Sequence, residues 1–180
     1  MRKVKLYIAI SLNGMIAKEN GDVSWLDEVP NPDKSDYGYA DFYDSVDITI
    51  QGFNTYQHVA NMGISNPYPN TKNYVFTRKK ELPEAEGFEF VNQDHIGLVH
   101  KLVKEEGKDI WLIGGSQLNT LFLNEGLIDE VWLFMMPIII QDGIPLFNEN
   151  TSVCNLHLLD TIKYSSGVVC TKYKIKKTNK

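Results

Sequence analysis

Residues 109–123, DIWLIGGSQLNTLFL, restrict the possible fold more than any other part of the chain. Ile110 to Ile113 is short, apolar and β-rich, as expected of a parallel strand covered on both faces. Gly114 and Gly115 can turn the backbone without steric cost and let a ligand approach the main chain. Ser116 is placed to open a helix whose unpaired N–H groups face an anion. Leu118, Leu121 and Phe122 recur at helical spacing, so that helix would pack back on the sheet. A glycine pair alone is a tight turn, but strand, glycines and helix in this order read as a phosphate site.

The chain has 180 residues, 43% hydrophobic and 23% charged, which is enough for one domain with a sizeable core. Residues 1–176 are expected to form that domain and 177–180 a polar tail. The formal net charge is −5, and the basic residues are dispersed apart from Arg78-Lys79-Lys80 and a Lys-rich C-terminal stretch. A nucleic-acid surface is therefore not expected. No run is long enough to span a bilayer and none at the start has signal-peptide length, so a cytoplasmic protein without membrane contact is expected. Cys154 and Cys170 read as thiols, although a hairpin could bring them together. The four histidines are scattered and neither cysteine has a CxxC partner, so no metal set is expected.

Val4 to Leu12 reads as a strand ended by Asn13-Gly14, followed by a long loop over Met15 to Trp25. Asp36 to Ser45 has helical spacing, Val46 to Ile50 returns to strand and runs into Gly52, and Asn54 to Asn61 is a short helix. Strands follow at Asn73 to Thr77 and Phe88 to Val91. Asp94 is placed to cap a helix ending near Gly107. Beyond the glycine strand and its helix come a strand over Glu130 to Ile140, interrupted by Pro137, and a hairpin of Leu156–Ser165 and Val168–Ile175 around Ser166-Gly167. This is an α/β protein: a mixed, mainly parallel sheet with helices on both faces and a C-terminal antiparallel hairpin.

Four stretches, in order, carry a resemblance: YIAISLNGMIA from Tyr7, ITIQGFNTYQ from Ile48, NYVFTRKKEL from Asn73, and IWLIGGSQLNTLFLNEGLIDEVWLFMMPIIIQDGIPLF from Ile110. Together they resemble the dihydrofolate reductase-like family, and within it the branch with the reductase domain of riboflavin biosynthesis. The resemblance implies that Gly114, Gly115 and Ser116 hold the pyrophosphate of a nicotinamide cofactor, with Ile113, Gln117 and Leu118 beside them. Ala9 and Ile16 would bracket the nicotinamide, Gly52, Phe53 and Thr55 would line the second helix start, and Thr77, Arg78 and Lys79 would hold the adenosine ribose and its 2′-phosphate. Asp36, sixteen residues before Gly52, matches the spacing of the acid in folate reductases; its tyrosine-rich setting is expected to raise its pKa and keep a proton available. Its bland alternative is a helix cap.

Two departures stand out. Phe53 replaces the arginine of the family's Gly-Arg-x-Thr-Tyr, losing a guanidinium that clamps the 2′-phosphate. Asn13 stands where the branch often has Asp, and an amide cannot act as an acid. The resemblance implies a reductase of a small heterocycle using NADPH, with NADH the alternative donor, and most naturally of 5-amino-6-(5-phosphoribosylamino)uracil. A dihydrofolate reductase and a nucleotide-binding protein without turnover are the alternatives. A homodimer is expected, both from the branch and because Val131 to Ile140 offers more apolar surface than one buried strand needs.

Overall fold

The computed structural model describes residues 1–176, so the expected polar tail lies outside the described residues. The order is β1 (Val4–Ile10), β2 (Met15–Lys18), α1 (Tyr39–Asp44), β3 (Val46–Gly52), α2 (Phe53–Asn61), β4 (Lys72–Phe76), β5 (Phe88–Val91) and α3 (His95–Leu102). There follow β6 (Asp109–Gly114), α4 (Ser116–Asn124), β7 (Glu130–Met135), β8 (Gly143–Pro145), β9 (Leu156–Lys163) and β10 (Val169–Ile175). Eight strands form one sheet, ordered β5-β4-β3-β6-β1-β7-β10-β9. The strands from β5 to β7 pair in parallel, and β10 and β9 close the sheet antiparallel. This is the dihydrofolate reductase-like architecture.

Strand alternation divides the core between the two faces. Leu6, Ile50, Tyr74, Ile110 and Leu112 point to one face, where Val99 and Leu102 of α3 and Leu118 and Phe122 of α4 cover them. On the other face Phe42 of α1 packs edge-on to Trp111, and Tyr56 of α2 packs edge-on to Phe88 and Phe90. Asp94 caps α3 as expected, its carboxylate accepting from Gly97 N–H at 3.1 Å. The helix ends at Leu102, before Gly107.

The region over Met15 to Trp25 is not wholly a loop. Met15–Lys18 pairs antiparallel with Gly143–Pro145 in a second, two-stranded sheet, and Ser24–Glu28 is a 3₁₀ helix burying Trp25. Each of those strands is too short to show a period. Val131 to Ile140 is partly covered and partly open. β7 lies between β1 and β10 and ends at Met135 rather than running to Ile140; Val131, Phe134, Met136 and Ile140 are buried, whereas Met135 and Ile139 are exposed. The edge strand β9 also leaves Leu156, Leu158 and Leu159 exposed. Cys154 is exposed and Cys170 buried, and both are free.

Charged residues at the foot of the central strands tie the N-terminal segment to the sheet. Lys3 Nζ donates to Glu130 Oε1 at 2.7 Å and Trp132 Nε1 to Glu130 Oε2 at 3.0 Å. Burial by itself pushes the Glu130 carboxyl up; the Lys3 and Trp132 hydrogen bonds and the charges of Lys3 and Lys5 outweigh it and hold the pKa below the ordinary glutamate range. A carboxylate with a depressed folded pKa stabilises above the unfolded value, and that contribution is lost as pH falls through the folded value. Glu130→Gln should therefore flatten the acid limb of a melting-temperature profile. An unchanged slope below the ordinary glutamate pKa would show that Glu130 is not coupled to folding.

Candidate functional site

Neighbouring parallel strands β3 and β6 each end in glycine at the same edge of the sheet and each hands over to a nine-residue helix. The N-cap residues are Gly52 and Gly115, so neither helix start has a side chain to occupy its first N–H groups. The two starts lie side by side: a Cβ added at Gly52 would fall 3.7 Å from the Gly114 carbonyl oxygen, and one added at Gly115 would fall 3.5 Å from Thr55 Oγ1. Two helix dipoles thus direct positive ends into one gap, a setting suited to a diphosphate.

The two central glycines do different work. Gly114 has φ +106°, and a Cβ there would lie 2.8 Å from Asn119 Oδ1, so this position excludes other residues by backbone and by contact. Gly115 is extended, at φ −75° and ψ −166°, which any residue adopts. What its missing side chain preserves is the gap toward Thr55. The peptide between the two glycines is cis.

The end of β4 supplies the charge. Thr77 is buried and its Oγ1 accepts from Lys79 N–H at 3.1 Å, while Asn92 Nδ2 donates to the Lys79 carbonyl at 3.1 Å. From this pinned backbone the Arg78 guanidinium reaches Gln117 Oε1 in the first turn of α4, at 3.4 Å. Lys79 Nζ turns instead to α2 and lies 4.1 Å from the centroid of the Phe53 ring. Gly52, Phe53, Thr55, Thr77, Arg78, Lys79, Gly114, Gly115, Ser116 and Gln117 are therefore gathered at one sheet edge. Ile113 is half-buried beside them on the α1 face, and the Leu118 side chain belongs to the core.

The motif reading missed the support beneath α4. Ser116 Oγ donates to Asn148 Oδ1 at 2.7 Å, Asn148 N–H donates to Thr120 Oγ1 at 2.8 Å, and Asn119 Nδ2 donates to the Leu146 carbonyl at 3.1 Å. Asn119 is fully buried, with its Oδ1 unpartnered. The available signal was the polar pair Asn119-Thr120 between the apolar Leu118 and the Leu121-Phe122-Leu123 run of α4.

Ala9 lies on the face of β1 that carries Tyr7, packed in the cluster containing Trp25, Phe134 and Met136, and Ile16 is half-buried on β2. Asn13 pins this corner: Nδ2 donates to the Ile140 carbonyl at 2.8 Å, while Oδ1 accepts from Ser11 Oγ at 2.8 Å and from Ile140 N–H at 3.3 Å. A carboxylate could not donate to Ile140, so the amide at this position has its own structural use.

Asp36 departs from expectation. It is exposed, and its carboxylate accepts from Ala40 N–H at 3.0 Å and Gly38 N–H at 2.9 Å, ahead of the first turn of α1. These backbone hydrogen bonds hold its pKa below the ordinary aspartate range, the reverse of the expected rise. Peptide N–H groups favour the charged form, and there is no dry pocket to oppose them. Burial raises Tyr7 and Tyr164, with Cys170 adding to both and Tyr164 also to Tyr7; the charge of Asp36 adds further, which puts this carboxylate within electrostatic reach of both rings.

Comparison with known proteins bears on the family and the fold. The profile of the RibD C-terminal domain matches residues 2–170. The uncharacterized protein YwjB of Bacillus subtilis (strain 168) is 40% identical over 167 residues, covering 93% of this chain and 95% of its own length. A putative riboflavin biosynthesis protein from Shewanella sp. PV-4 superposes with a TM-score of 0.86 at 28% identity, over 98% of this chain and all of its own. A diaminohydroxyphosphoribosylaminopyrimidine deaminase/5-amino-6-(5-phosphoribosylamino)uracil reductase from Thermotoga maritima shares the fold, with a TM-score of 0.72 at 17% identity. That match covers 97% of this chain and 57% of the other.

Asp36→Ala should lower the melting temperature, and Asp36→Asn should recover most of the loss, because an amide oxygen still accepts from Gly38 and Ala40. Equal destabilisation by both would show that the charge, not the cap, is what α1 needs.

Proposed function

We propose that this chain, which belongs to the RibD C-terminal domain family, is a reductase that takes a hydride from NADPH, or less effectively NADH, to a small planar heterocycle. The observation that carries the reading is the shared edge of β3 and β6, where two uncapped helix starts, Arg78 and Lys79 surround one gap. The fit is a matter of chemistry: a diphosphate wants several N–H donors and nearby cations, and the gap beside Gly115 is one that a side chain would fill. NADPH, when bound, supplies the hydride.

The chain's own residues then have separable tasks. N–H groups at the starts of α2 and α4 would neutralise the diphosphate, with the Thr55 hydroxyl beside them. Ala9, small and set on the sheet, would leave room for a flat ring, and Ile16 would shield that ring from water. Asp36 is ionised at neutral pH, so we assign it no stored proton; its charge would orient a donor on the acceptor, and the proton would come from water or a neighbouring tyrosine. The acceptor we favour is 5-amino-6-(5-phosphoribosylamino)uracil or a close relative, in the cytoplasm. A homodimer is part of the proposal, with β9 rather than β7 offering the exposed leucines.

Gly115→Val tests the site. The residue's φ and ψ suit valine, so the protein should melt close to the wild type while affinity for NADPH and NADH falls by about two powers of ten or more. A folded variant with unchanged affinity would move the cofactor elsewhere. A panel of pterins and ribosylated aminouracils, followed at the nicotinamide absorbance, separates an enzyme from a binder: a melting shift with NADPH and no absorbance change on any substrate would favour binding without turnover.

For the assembly, sedimentation at micromolar concentration should show a dimer rather than a 20.5 kDa species, and Leu158→Glu should dissociate it.

A further inference from the structure

We infer that Phe53 is a positioning residue for cofactor selection: its ring holds Lys79 as the cation that recognises the 2′-phosphate of NADPH. The inference rests on the NADPH reading above and concerns which residues discriminate within that site.

Phe53 opens α2, a helix with no fully buried residue, and is itself only half-buried. Its ring makes loose contacts with Tyr56 and Phe90, at centroid distances of 5.9 and 6.4 Å. The Lys79 ammonium stands 4.1 Å from the ring centroid, well within cation–π range. Among the described residues Lys79 forms no ion pair. This matters because a carboxylate partner would neutralise the ammonium, whereas a ring face attracts it and leaves its outward N–H donors and full charge available. A ring also restrains a flexible stem that would otherwise lose its rotamer freedom on binding.

The neighbouring cation is engaged differently. The Arg78 guanidinium is hydrogen-bonded to Gln117 in the first turn of α4, next to the glycine pair. Successive residues at the end of β4 thus reach toward different helix starts, Arg78 toward α4 and Lys79 toward α2. That divides the work: Arg78 acts near the diphosphate common to both nicotinamide cofactors, and Lys79 serves a group that only one of them carries. Where a single arginine on α2 would have both reached and bound a phosphate, this chain uses a ring and an ammonium from separate strands' ends.

The test is direct binding, by calorimetry, of NADPH, NADH, adenosine 2′,5′-bisphosphate and AMP to the full chain and four variants. The wild type should prefer NADPH over NADH by about tenfold, and the bisphosphate over AMP likewise. Lys79→Met should bring both ratios near one, and Arg78→Met should weaken both dinucleotides about equally. Phe53→Leu keeps an apolar side chain of similar size but no π face; it should cut NADPH affinity about threefold to tenfold and leave NADH unchanged, while Phe53→Trp retains the preference. Retention of the NADPH preference by Lys79→Met, its loss in Arg78→Met, or equal ratios in Phe53→Leu and wild type would each overturn the assignment. If the wild type binds neither dinucleotide, the proposed function falls instead, and that outcome is read before any variant is made.

Discussion

The structure depends on the order of parallel strands at one point, where β3 and β6 lie side by side although a long stretch of chain separates them. From β3 the chain moves outward to β4 and β5; from β6 it moves the other way, past β1 to β7. The connections leave the same sheet edge in opposite directions, so nothing crosses between them and a crevice opens at the carboxyl ends of the two strands. The register, with Ile50 opposite Leu112 and Gln51 opposite Gly114, brings Gly52 against the β6 glycines and so places both helix starts at the crevice. Buried polar contacts hold this side of the sheet: Thr49 Oγ1 donates to Asn73 Oδ1 at 2.6 Å, and Asn73 Nδ2 in turn donates to the carbonyls of Tyr68 and Gly87. A slip of one residue at β3 or β4 would break that pair and turn every core side chain to the wrong face.

The parts legible in the sequence are those whose residues report their own surroundings. Ile110 to Ile113, flanked by glycine and followed by Leu118, Leu121 and Phe122, can be read as strand, turn and helix because burial on two faces and on one stripe leave different periods. The β9–β10 hairpin shows itself through Ser166-Gly167, with Gly167 at φ +86°. The β2–β8 sheet does not, because its short strands find partners more than a hundred residues away. For Val131 to Ile140 composition does not separate the buried Val131, Phe134, Met136 and Ile140 from the exposed Met135 and Ile139. An apolar run looks the same whether it faces a second subunit or is buried between strands on either side.

Asp36 and Asn13 illustrate a different limit. Asp36 is the expected acid and Asn13 stands where the branch often has one, and both hold backbone N–H or carbonyl groups at the ends of elements. An exposed carboxylate two residues before a left-handed glycine, Gly38 at φ +77°, finds peptide donors close at hand. Those donors stabilise the ionised form more surely than a ring of tyrosines destabilises it. Spacing from Gly52 could suggest a place in the cleft, but the pKa depends on which N–H groups point at the carboxylate, and a turn decides that.

The two ends of the crevice are consequently made of different material. At the β3–β6 edge the available donors are main-chain N–H groups at two helix starts and residues at strand ends, fixed by the hydrogen-bond ladder between the strands. Around Ala9 the wall is built from the 3₁₀ helix with Trp25, the short β2–β8 pairing and the Asn13 clamp on Ile140, all of them side-chain or loop contacts. Such a wall can change shape through one or two residues while the sheet stays as it is. The β3–β6 end of the crevice is therefore set mainly by backbone geometry, whereas the end around Ala9 is set by particular side chains.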